Sequence, residues 1–85
     1  MNTMQAVTPQ DMIRINRRAA AFLMVAHGVT GLAVARAAGS NPWTVSRVLH
    51  NFRRVDPAKR LAVLLAIARL CRCQAEELIM GKLAA

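Results

Sequence analysis

The sequence has no tyrosine, one tryptophan and two phenylalanines, so aromatics make up only 4% of its 85 residues. Its apolar content, 55%, is therefore mostly Ala, Leu, Val and Met. With three prolines and four glycines, that mixture favours helices over strands, and no stretch alternates with the period of a strand. Acidic residues are the second scarcity. Asp11, Asp56, Glu76 and Glu77 are all there are, and the two aspartates sit where helices begin. No carboxylate pair, Ser/His/Asp set or phosphate loop is visible, so the chain reads as a non-enzyme. Cysteine is scarce too. Cys71 and Cys73 stand two apart, a spacing that suits neither a structural disulfide nor a redox pair. Together with His27 and His50 they match no zinc spacing, so no metal and no cofactor is expected. No apolar run approaches the ~20 residues that span a bilayer. The opening MNTMQAVTPQ has no basic stretch followed by an apolar one. The expected setting is the cytoplasm, away from membranes.

What the sequence does have is positive charge. Twelve Lys and Arg give a net +8, a field that suits a polyanion, nucleic acid first. The length suits one small domain.

Helix punctuation is dense. Residues 1–7 show no pattern and are expected to be a flexible N-terminus before a single domain over 8–85. Thr8-Pro9 reads as a cap followed by a first-turn proline. Met12, Ile15, Ala19, Phe22 or Leu23, and Ala26 recur at helical spacing, with Gly28 as the stop. Thr30 caps a second helix whose inner face is Leu32, Ala35 and Ala38, and Gly39 ends it. Asn41-Pro42 opens a third helix to about Asn51, anchored by Val45, Val48 and Leu49. Trp43, Arg47 and His50 share its other side. Residues 51–55 read as a loop. Asp56-Pro57 opens a fourth helix to about Leu70 with two apolar stripes: Leu61, Leu64, Leu65, Ala68 and Cys71, and Val63, Ala66, Ile67 and Leu70. A last helix is expected over 75–83. The fold class is therefore all-α, a compact bundle of five short helices around a central helix-turn-helix.

The segments VTGLAVARAAGSNPWTVSRVLHN and AKRLAVLLAIARLCRCQAEELI resemble the lambda-repressor-like helix-turn-helix family, which includes the Cro/C1 and XRE-type regulators. The matching points are Thr30, Ala35, Gly39, Thr44-Val45-Ser46-Arg47-Val48, Ala68, Cys71 and Glu76-Glu77-Leu78. Gly31 stands where the family often has a phosphate-gripping Gln, and Ser40 where an apolar residue is common. The resemblance implies that the third helix enters the major groove of double-stranded DNA. Asn41, Pro42, Trp43, Thr44 and Arg47 are then the candidate base readers. Thr30, Ser46, His50, Asn51, Arg53, Arg54, Lys59 and Arg60 are the candidate phosphate ligands.

Val63, Ile67, Leu70, Ile79, Met80 and Leu83 need a cover, and a second copy is expected to supply it. The expected function is that of a small phage or prophage repressor, Cro-like or Ner-like, whose homodimer occupies a palindromic operator. Two alternatives share the fold. One is an antitoxin that also binds a toxin or other regulatory protein. The other is a protein-interaction module, to which Pro42, without a side-chain donor, lends support.

Overall fold

The computed structural model describes residues 14–52 and 54–79. The expected flexible segment 1–7, the start at Thr8-Pro9, and Arg53, Met80 and Leu83 lie outside them. The described chain is all-helical: α1 (Arg17–Ala26), α2 (Gly31–Ala38), α3 (Pro42–Leu49), α4 (Pro57–Leu70) and a 3₁₀ turn, η1 (Ala75–Leu78).

Each α-helix begins on a side-chain cap. The Asn16, Thr30, Asn41 and Asp56 side chains accept from the backbone N–H groups of Ala19, Ala33, Thr44 and Ala58. Prolines at the first positions of α3 and α4 cost no hydrogen bond, because those N–H groups have no partner within the helix. Each α-helix also ends in the same way. The residue after the last turn is left-handed at Gly28, Gly39, Asn51 and Arg72. The next N–H then reaches back five residues, from Val29 to Met24, Ser40 to Ala35, Phe52 to Arg47 and Cys73 to Ala68. These are Schellman stops, which satisfy carbonyls that the helix leaves open. At Gly39, φ of +67° costs a glycine little and a residue with a Cβ about 1–2 kcal/mol.

The first helix departs from expectation. Residues 14–16 are not helical, and α1 begins on a cap at Asn16. Ile15 forms an isolated antiparallel bridge with Ile79, and the Asn16 N–H donates to the Leu78 carbonyl at 2.7 Å. The long-range partners at residues 78 and 79 hold Ile15 extended, where its fully buried side chain fills the core. The face of α1 is also rotated from the expected stripe. Ala20 and Met24 point inward, while Phe22 is 72% exposed. The last helix ends early: η1 stops at Leu78, because Ile79 turns extended to meet Ile15.

α4 is the hub. It packs on α2, α3 and η1, and α2 packs on α3. Val63 and Ile67 are fully buried within one chain. They therefore cannot form the expected face toward a second copy, and the covering comes from inside the same domain. Leu70 and Ile79 are half-buried against that core. No single helix among the described residues is long and apolar enough to cross a membrane.

Candidate nucleic-acid interface

α2 and α3 form a helix-turn-helix joined by Gly39, Ser40 and Asn41. Ala35 is buried, and so are Val45 and Val48. The small side chain at 35 admits a close approach of the two helices, and the two valines fix which side of α3 faces inward. The other side is left to solvent. Asn41, Pro42, Trp43, Ser46 and His50 are exposed, and Thr44 and Arg47 are half-buried. A helix about 10–12 Å across matches the ≈ 12 Å width of a B-DNA major groove.

Trp43 is 70% exposed at the first turn of α3. Asn41 holds its side-chain oxygen on the Thr44 N–H at 2.8 Å, so its amide NH₂ is what remains to offer a base or phosphate. The oxygen of Thr30 likewise accepts from Ala33, while its hydroxyl proton stays free to donate.

Arg47 is steered by a residue that the sequence reading passed over. Its guanidinium carbon lies 5.7 Å from the centre of the Phe52 ring. That ring also lies 6.3 Å from the His50 imidazole, inclined at 52°. A cation over an aromatic face is attracted by the ring quadrupole, so Phe52 restricts where Arg47 points. The available sequence signal is an aromatic ring in the loop, five residues after Arg47 and next to Arg53 and Arg54.

Beside Arg47 a cleft of about 170 Å³ opens between α3 and the start of α4, lined by Thr44, Arg47, Arg54, Val55, Asp56 and Lys59. Three cationic side chains around one carboxylate make it electropositive, the sign a phosphodiester backbone requires. Arg54 and Lys59 thus stand beside Thr44 and Arg47 of α3.

Two other candidates are engaged inside the domain. Arg60 is only 7% exposed and donates to the Phe52 carbonyl at 2.8 Å. Its Nε has no hydrogen-bond partner among the described residues. Asn51 holds both backbone groups of Ile15, accepting from its N–H at 2.8 Å and donating to its carbonyl at 3.0 Å. The Arg60 guanidinium is therefore buried rather than exposed, and the Asn51 amide is held on Ile15. The thiols are not part of it. Burial pushes Cys71 above its ordinary value, and burial, then Glu77 and Cys71, do the same to Cys73.

No curated protein and no solved structure matches the chain. Residues 33–71 match the family described as "Bacterial regulatory proteins, lacI family". The matched segment runs from the first turn of α2 to the end of α4, so it takes in the helix-turn-helix and the hub helix behind it. The chain thus carries a helix-turn-helix of the kind found in DNA-binding transcription regulators.

Proposed function

We propose that the protein is a sequence-specific repressor that acts by occupying an operator. The carrying observation is the outward face of α3, with Trp43 at its head and Arg47 steered by Phe52 beside the Arg54/Lys59 cleft. On this reading α3 lies in the major groove. Arg47 reads a guanine through paired N–H donors. Trp43 presses on thymine methyls or the sugar edge, and Ser46 and His50 touch backbone. Arg54 and Lys59 neutralise phosphates, and each such contact steepens the salt dependence.

A small domain on one half-site has limited affinity, so a homodimer on a palindrome is the working assembly. Repression is then steric: the occupied operator excludes polymerase. The small Cro-like or Ner-like regulators of phages remain the nearest functional type, and the bacterial cytosol the place of action.

A second reading, in which α3 docks a protein such as a toxin, is favoured by one observation. Trp43 is broadly exposed and its neighbour Pro42 offers no donor. Selection from a random duplex library, followed by titration of the winner against scrambled DNA at near-physiological salt, separates the two. An enriched palindrome bound ~10³-fold or more above scrambled DNA supports the repressor. Absence of a motif, with binding that vanishes as salt rises, refutes it and leaves α3 to a protein partner or to non-specific coating of DNA.

A further inference from the structure

We propose that the outer face of α1 is where two copies of this chain pair, antiparallel across a two-fold axis. The proposal names the partner surface that the dimeric reading above requires, and it rests on that reading for its use on DNA.

Phe22 is 72% exposed and Val25 82% exposed. With Arg18 they lie within one narrow sector of the helix, at spacings of four and three. Ala21 and Ala26 beside them are exposed too. The opposite side of α1 buries Ala20 and Met24. The outer face therefore carries two large apolar groups that no described residue covers. The faces of α4 first expected to pair, at Val63 and Ile67, are closed within the chain.

Charge selects a second copy, and selects its direction. α1 begins with Arg17 and Arg18, has no acid in its first turn and no base in its last. Its charges thus oppose its own dipole, whose N-terminus is positive and C-terminus negative. An antiparallel copy reverses this. The arginines of each helix then lie against the carbonyl end of the other. With the axis beside Phe22, the two Arg17 stand about 15 Å apart along the helices and the two Arg18 about 12 Å, at 1.5 Å per residue, which exceeds the ~8–10 Å screening length. A parallel pair would bring them together. Phe22 is the sixth residue of the ten, so the axis crosses α1 beside it and the two rings meet at the centre. Two-fold symmetry also counts every contact twice.

The test is sedimentation equilibrium of the full chain without DNA, up to roughly 1 mM. The wild type is expected to dimerise reversibly. Phe22→Ser with Val25→Ser should weaken the dimer at least ~10-fold, as for loss of a central aromatic anchor, with the helical circular dichroism unchanged. Arg18→Glu is the second variant. It should raise the melting temperature of the monomer by favouring the dipole, yet weaken dimerisation. A merely structural role would not move stability and association in opposite directions. A wild type that stays monomeric throughout overturns the proposal, as does a dimer indifferent to both variants. Operator binding by a strict monomer removes the pairing face alone. A dimer broken by these changes, with no operator found, removes the repressor reading and keeps the face.

Discussion

The side-chain amide of Asn51 grips the backbone of Ile15, 36 residues earlier, through two hydrogen bonds of 2.8 and 3.0 Å. Asn51 is at once the left-handed stop of α3, with φ of +57°, and the clasp that ties the segment before α1 to the end of α3. Ile15 is held from its other neighbour by the bridge to Ile79. One extended residue therefore joins three parts of the fold.

Asn51→Ala removes both hydrogen bonds and puts an unsuited residue in a left-handed site. At about 1 kcal/mol per bond plus ~1 for the backbone, the expected loss is about 2–3 kcal/mol in urea unfolding. Asn51→Gly should recover the backbone part only. Hydrogen exchange at the Ile15 amide should accelerate in both variants. Unchanged protection there would rule out the clasp.

Phe52→Ala should leave α3 intact and free the Arg47 guanidinium. An exposed cation–π contact contributes about 0.5–1 kcal/mol, so operator affinity should drop roughly 2–5-fold. Preference at the base facing Arg47 should relax. Gel-shift titrations on single-base operator variants would show it.

Arg47→Ala should lose discrimination at one position per half-site. Arg54→Ala and Lys59→Ala should weaken all duplexes alike and lower the salt slope by about 1 each. Arg60→Ala should instead reduce thermal stability, because its guanidinium holds the Phe52 carbonyl from inside the domain. Binding isotherms at several salt concentrations, beside melting curves, sort the four residues.

Arg72 is left-handed with φ of +54° at the stop of α4. Arg72→Gly should stabilise the protein by about 1 kcal/mol by relieving that strain, whereas Gly39→Ala should cost about 1–2 kcal/mol by introducing it. Paired thermal melts with opposite shifts are the expected result.

The two thiols predict alkaline sensitivity. Both are raised above the ordinary value of 9.0, Cys71 by burial and Cys73 by burial, then Glu77 and Cys71. Below pH 9 they are neutral folded and unfolded alike. Above it the unfolded chain ionises first and binds fewer protons, so stability falls as pH rises. Cys71→Ala should flatten that decline in denaturation curves taken from pH 8 to 10.5.

The helix boundaries were largely legible. Thr30, Asn41 and Asp56 as caps, Pro42 and Pro57 behind them, and Gly28 and Gly39 as stops all stand where their chemistry placed them. The outward face of α3 followed from Val45 and Val48 pointing the other way. These are contacts within five residues of chain, so the local sequence contains both partners. The stops at Asn51 and Arg72 were less visible, because neither residue is committed to a left-handed backbone as glycine is.

Tertiary structure decided the rest. Ile15 looked like one more turn of α1. It became extended because its backbone partners come from Asn51 and its bridge from Ile79. Arg60 looked like a free cation, and the carbonyl of Phe52 drew it inward. Val63 and Ile67 looked like a spare stripe, and packing within the same chain closed it. Periodicity states that a helix has an apolar face. Which neighbour covers that face depends on how distant segments share one core, and that is settled only when they pack together.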